Sequence, residues 1–182
     1  MNTEMNEFQI VVAQEEHIPF IPDILDAIYE ASLVPGNSIV MRDPDYLASK
    51  MREGKAVIAL CNNAFAGFCY IESWQNGEFV ANSGLIVKPE FRGQGLASRI
   101  KAKIVEVCQH MFPRANLFGI TKSATVIRMN ERLGFQQVPY TDITNDPAFW
   151  KGCDTCRHYE ELLQNEGKNC RCIALLLRPK EA

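Results

Sequence analysis

Leu85-Ile86-Val87-Lys88-Pro89-Glu90-Phe91-Arg92-Gly93-Gln94-Gly95-Leu96-Ala97 carries a strand through a proline and two glycines into a helix. The apolar run ends at Val87, and Pro89 has no N–H with which to continue a ladder. Beyond it, Leu96, Ile100, Ile104, Val107 and Met111 recur at helical spacing, which predicts an amphipathic helix from about Gly95 to Met111. The first amides of a helix have no intrahelical partner and sit at the positive end of its dipole, so such a start is an anion site. Gly93 and Gly95 let a phosphate approach the backbone with no Cβ in the way. Arg92 adds a charge-assisted donor. Two readings stand at this point: a phosphate cradle, or glycines that only shape a turn, because a bare G-x-G is a weak signal.

Upstream, Asn76-Gly77 predicts a two-residue type I′ turn that pairs Gln75 with Glu78. Counting back from that pair sets Glu72 against Ala81 and Tyr70 against Ser83. The two strands run from Ala64 to Trp74 and from Glu78 to Val87. Gly84 inside the second predicts a bulge or a close backbone approach by a ligand. A further strand, Ala56 to Cys61, precedes them across the turn-prone Asn62-Asn63. Nearer the start, Phe8 to Ala13 reads as a strand and Glu16 to Leu33 as a helix, with Pro19 and Pro22 in its first turns. Val34-Pro35-Gly36-Asn37 breaks it. Asp43 then caps a second helix that carries Tyr46, Leu47 and Met51 on one face. Downstream come a strand from Ala115 to Thr121, a helix from Ser123 to Leu133 stopped by Gly134, and a short strand from Phe135 to Pro139. Asp146 to Gln164 is mixed or helical, and Cys170 to Leu177 is a buried final strand. Too many of these strands are joined by hairpins for a doubly wound fold, so the pattern predicts an α+β sandwich.

The chain of 182 residues with 47% hydrophobic content fits one domain with a sizeable core. A net charge of -3 and a pI near 5.7 give no basic footprint for nucleic acid. No apolar run approaches the ~20 residues of a membrane span. The polar, acidic opening Met1-Asn2-Thr3-Glu4 does not read as a secretory signal, so a cytoplasmic protein is expected. Of seven cysteines, Cys61, Cys69 and Cys108 sit in apolar stretches and read as core.

The segment from Val87 to Ala97 resembles the GNAT superfamily of N-acetyltransferases. That family's motif of Arg or Gln, two residues, Gly, one residue, then Gly or Ala is met by Arg92, Gly95 and Ala97. Val87-Lys88-Pro89 and Leu133-Gly134-Phe135 match two further family features. The resemblance implies a single domain over residues 1–182 built on a mixed, mostly antiparallel sheet of about seven strands flanked by helices. It implies acetyl-coenzyme A as co-substrate and a small-molecule primary amine as acceptor. Backbone N–H groups of Arg92, Gly93, Gln94, Gly95, Leu96 and Ala97 would hold the pyrophosphate. The pantetheine arm would lie along Leu85, Ile86 and Val87, where the family's sheet splays, and Ser123 would either cap its helix or reach the pantetheine. A narrower likeness, through Thr121-Lys122-Ser123 and Glu131-Arg132-Leu133-Gly134-Phe135, is to the transferase half of N-acetylglutamate synthases. It suggests an amino-acid acceptor, with Arg128 and Lys122 as candidate carboxylate partners or as solvated surface.

The catalytic residues depart from the family pattern. Many members place a tyrosine four residues before the Gly of Leu-Gly-Phe as acid; here stands Asn130, which is no general acid at neutral pH. It is a candidate for a cofactor contact or for a satisfied core amide. Where some members carry a glutamate on the return strand, this chain has Asn82 and Ser83, so Glu72 becomes the candidate base, with an exposed strand glutamate as the plainer reading. These departures leave a catalytically silent acyl-CoA-binding module as the alternative to an enzyme. Residues 140–182 form a Cys-rich elaboration that shapes the acceptor pocket or a homodimer contact. Within it Cys153, Cys156, Cys170 and Cys172 fit a zinc site, buried thiols, a redox pair or a cysteine near the thioester.

Overall fold

The computed structural model describes residues 7–37, 39–155 and 172–180. Seven strands form one sheet: β1 (Phe8–Val12), β2 (Ala56–Cys61), β3 (Ala64–Trp74), β4 (Phe79–Val87), β5 (Asn116–Thr121), β6 (Gln136–Val138) and β7 (Ile173–Leu177). Their order is β1-β2-β3-β4-β5-β7-β6. Every neighbouring pair is antiparallel except β4 with β5. The helices are α1 (Ile21–Ser32), α2 (Pro44–Arg52), α3 (Leu96–Met111), α4 (Ala124–Arg132) and α5 (Pro147–Lys151). This is the α+β architecture expected, with one continuous mixed sheet. No helix among the described residues is long and apolar enough to cross a membrane.

Side chains alternate across a strand, and β3 shows what that does here. Cys69 and Ile71 enter the apolar cluster under α3, whereas Phe68 and Tyr70 enter the cluster under α1 and α2. Helices therefore cover both faces, and β2 is buried along its whole length. The long first helix expected from Glu16 divides in two. Glu15–Phe20 winds as a 3₁₀ helix around Pro19, and the α-helix starts only at Ile21 with Pro22 in its first turn, where a missing N–H costs nothing. Asp43 caps α2 as expected, its side chain accepting from the Tyr46 N–H.

The β3–β4 register is the expected one, with Tyr70 opposite Ser83 and Glu72 opposite Ala81. The Asn76-Gly77 turn is present as well: Asn76 (φ 54°, ψ 34°) and Gly77 (φ 83°) are both left-handed, and the Glu78 N–H donates to the Gln75 carbonyl at 3.1 Å. The ladder nonetheless ends one pair earlier than expected, at Trp74–Phe79, and Gln75 also has positive φ. Gln75 is held there from outside the hairpin, because its Oε1 accepts from Thr144 Oγ1 at 2.5 Å and from the Asn145 N–H at 3.2 Å. Further along, Tyr70 pairs with Ser83 but Phe68 with Ile86, so Gly84 and Leu85 face a single residue, Cys69. That is the bulge expected at Gly84. Its close neighbour is the Tyr70 ring, and a Cβ on Gly84 would stand 2.4 Å from Tyr70 Cε1 at a φ of +66°. Gly84→Ala is expected to lower stability by about 2–3 kcal/mol, from backbone strain and steric conflict together. Urea unfolding of the variant checks this.

Candidate active site

β4 and β5 pair only at Phe79–Asn116, Val80–Leu117 and Ala81–Phe118. From Asn82 and Gly119 onward the two strands part, and the gap opens into a cavity of about 1090 Å³. Its walls come from both strands, the start of α3, one side of α4, and α5. Strand parting leaves backbone polar groups without a ladder partner, which a ligand can satisfy.

The segment from Arg92 to Ala97 forms one end of this cavity. Gly95 is the N-cap of α3 at φ 74°, and no side chain caps the helix. The first intrahelical bond runs from the Arg99 N–H to the Gly95 carbonyl at 3.2 Å, so the amides of Leu96, Ala97 and Ser98 precede it. All three residues line the cavity. Gly93 has the same left-handed backbone, at φ +75°, and a Cβ on either glycine would meet no atom within 4 Å. Both glycines thus hold backbone that a side chain would strain, and the space beside each is open. Arg92 Nε donates to the Val87 carbonyl at 3.0 Å. Leu85, Ile86, Val87, Arg92 and Ser123 all line the cavity. Ser123 caps α4, its Oγ accepting from the Val126 N–H. Gln94 is exposed and off the wall, its side chain donating to the Glu90 carbonyl at 3.3 Å.

Glu72 also lines the cavity, on the face shared with Tyr70 and α2. It is no solvated strand glutamate. Its Oε2 lies 2.5 Å from Lys50 Nζ and accepts from the Tyr46 hydroxyl at 2.5 Å. Lys50 is 5% exposed, and a lysine so buried needs a partner of this kind. Burial, and then the hydrogen bond to Glu72, push the Tyr46 phenol well above its ordinary pKa, so Tyr46 stays a neutral donor. Beside it, Arg42 Nε donates to the Tyr70 hydroxyl at 2.6 Å. Asn130 sits behind the wall: it is 2% exposed, does not line the cavity, and its Oδ1 has no protein partner. Arg128 lines the cavity and Lys122 does not.

Two features escaped the sequence. Among the described residues, the cavity wall carries the cations Arg42, Arg92, Lys101, Arg128 and Arg132 against the single carboxylate of Glu72, although the chain as a whole is acidic. The second is an aromatic wall. Phe149 of α5 contacts Trp74, Phe118 and Trp150 at ring-centroid distances of 5.5, 5.0 and 5.1 Å. The Trp150 indole donates to the Thr144 carbonyl at 2.8 Å, which ties α5 to the loop that precedes it. Spacing alone gave a hint of one buried cation, since Lys101 shares a helical stripe with Ala97, Val105 and Cys108. Cys153 and Cys172 line the cavity. Cys156 and Cys170 lie outside the described residues, and with them half of the four-cysteine zinc arrangement.

Several solved structures share this fold. An N-acetylglutamate synthase from Neisseria gonorrhoeae, complexed with coenzyme A and N-acetyl-glutamate, aligns at TM-score 0.64 and 17% identity over 98% of this chain and 36% of its own. A GCN5-related N-acetyltransferase from Kribbella flavida aligns at TM-score 0.55 and 16% identity over 75% of this chain and 35% of its own. The chain thus spans about a third of the length of these two. Rv2747 from Mycobacterium tuberculosis, in complex with CoA and NLQ, is closer in size: TM-score 0.66 and 14% identity, with 93% of this chain and 98% of that one covered. At these identities the likeness establishes the fold. A search of curated protein sequences gave no match. Residues 22–135, more than half of the chain, match the acetyltransferase (GNAT) family, and the chain belongs to that family.

Proposed function

We propose that this protein transfers the acetyl group of acetyl-coenzyme A to the primary amine of a small molecule, with an amino acid as the leading acceptor class. The observation that carries the reading is the union of unpaired helix-start amides with a cationic cavity in an acidic protein. That combination suits a ligand bearing several phosphates. Amides of Gly93, Gln94, Gly95, Leu96 and Ala97 would take the pyrophosphate, whereas the Arg92 N–H already donates to the Pro89 carbonyl at 3.2 Å and Arg92 would contribute its side-chain charge instead. Leu85, Ile86 and Val87 would carry the pantetheine arm along the open edge of β4, with Ser123 across from it on α4. The coenzyme A found with the Neisseria gonorrhoeae and Mycobacterium tuberculosis structures supports this choice of donor.

On the face toward α1 and α2, Glu72 would accept the proton that the attacking amine releases, directly or through water. Tyr46 and Lys50 hold its carboxylate in one orientation. Arg42 supplies a charge for an acceptor carboxylate, and the rings of Trp74, Phe149 and Trp150 offer an apolar wall for the rest of the molecule. The placement of Asn130 behind the wall favours a second reading, a silent module that binds acyl-CoA without turnover. Thiol release from acetyl-CoA across a panel of amines and amino acids separates the two: binding with no release on any acceptor selects the module.

Gly95→Ala is expected to weaken acetyl-CoA binding at least about tenfold, or roughly 1.4 kcal/mol, because the new Cβ would enter the space in front of the α3 amides. Titration calorimetry measures it, and unchanged affinity would remove the pyrophosphate from this loop. Glu72→Gln is expected to cost about 10²-fold in turnover with little change in donor affinity. The same substitution leaves Lys50 buried without its counter-charge, at a cost of about 3 kcal/mol in stability. Adding Lys50→Met should restore the stability and leave turnover low. If turnover survives Glu72→Gln, Glu72 is not the base.

A further inference from the structure

Lys101 projects from α3 onto the wall of the same cavity and is 3% exposed. A lysine buried to this degree ordinarily faces a carboxylate, as Lys50 does. None pairs with Lys101 among the described residues, and the titratable group that acts on it is the Cys69 thiol of β3. That thiol lies 3.2 Å from both Asn82 Oδ1 and the Ser83 carbonyl oxygen. Asn82 is the first β4 residue past the last β4–β5 pair, and its buried Nδ2 has no hydrogen-bond partner. Lys101 thus reaches the cavity beside the start of the splay with no carboxylate to face it. A buried ammonium without a counter-charge is costly, and an anionic atom of a ligand in the cavity would supply one.

The reaction proposed above creates one. As the amine adds to the thioester carbonyl and the C–S bond breaks, the amine gives up one proton and the sulfur leaves as a thiolate that must gain one. Glu72 serves the first transfer on the α1–α2 face. We propose that Lys101 is the general acid for the second: its ammonium meets the thioester sulfur and protonates it as it leaves. Solvent then returns a proton to the Lys101 amine, so atoms and charge balance. This assignment rests on the acetyl-transfer reading and fills the role for which Asn130 is unsuited. Burial lowers the Lys101 pKa, so the ammonium is a stronger acid than an ordinary lysine. The acid form is the active one, so turnover should fall as pH rises through that lowered pKa.

Lys101→Met and Lys101→Arg test the proposal, first without any acceptor. Ultraviolet difference spectra on adding coenzyme A, blanked with desulfo-coenzyme A, follow ionisation of the bound thiol. In the wild type that ionisation should come about one pH unit or more below the free thiol, whose value is near the usual ~8.5. In Lys101→Met the shift should vanish. Equal titration in both proteins overturns the proposal, whereas failure of either to bind coenzyme A overturns the acetyl-transfer reading instead. With the best acceptor, Lys101→Met should lose about 10²-fold in kcat and the descending limb at high pH. Its KM for acetyl-CoA should stay within about threefold. Its melting temperature should be unchanged or higher, since an unpaired buried ammonium is gone. Lys101→Arg keeps the charge with a far weaker acid, so wild-type turnover in that variant overturns proton donation. A stable acetyl adduct on Lys101 by mass spectrometry would make it an acceptor and overturn the proposal as well.

Discussion

β4 must pair with β3 from end to end and with β5 for only three residues. The cavity, the exposed edge that lines it and the two-sided approach to its apex all depend on that inequality. A parallel pair held at one end and released at the other forfeits ladder hydrogen bonds, so the parting needs support from elsewhere. On one side β5 is held by β7 from Leu117 to Thr121. On the other the bulge at Gly84 and Leu85 bends β4, with the Tyr70 ring filling the position a side chain on Gly84 would take. The opening is thus built into the covalent sequence before any ligand arrives.

Because a strand alternates its side chains, the parted edge offers different chemistry to its two sides. Toward α1 and α2 lie Tyr70, Glu72 and their partners Tyr46, Lys50 and Arg42. Toward α3 lie Cys69, Asn82 and Lys101. A ligand threaded through the gap would meet a carboxylate on one side and buried donors on the other. That separation is what a reaction that removes a proton from one atom and gives one to another needs. The two buried lysines show the contrast most directly. Lys50 has its counter-charge within the protein at 2.5 Å, while Lys101 has none among the described residues.

Much of the frame was legible from local chemistry. Asn76-Gly77 set the β3–β4 register, Asp43 and Ser123 marked helix starts, and Gly84 marked the bulge. The ladder stops at Trp74–Phe79 short of the expected Gln75–Glu78 pair, because Gln75 answers to Thr144 and Asn145, some seventy positions away, and no local rule contains that contact. The break at Pro19 was misread for a subtler reason, since proline suits both a 3₁₀ segment and the first turn of an α-helix. At the site, the Arg92–Ala97 segment was readable because its work is done by backbone, whose geometry glycine and helix start announce. Glu72 was readable as a position but not as an environment. Nothing near it in sequence reveals Lys50, and nothing near Lys101 reveals that its stripe faces a cavity instead of a sealed core. The aromatic wall depends on α5 docking against β3 and β5, a contact between distant segments.

The contrast between a net charge of -3 and a cavity wall that carries five cations against one carboxylate among the described residues bears on how a ligand would be selected before it is bound. Low-dielectric walls concentrate the field of those cations along the gap. At physiological ionic strength the field in open solvent fades over about 8 Å, so attraction acts only on molecules already near the mouth. Capture is therefore short-ranged and directional. Under the proposed acetyl transfer, small neutral thioesters would receive no such guidance, and discrimination against them would begin in the rate of arrival, ahead of any contact with the reacting atoms.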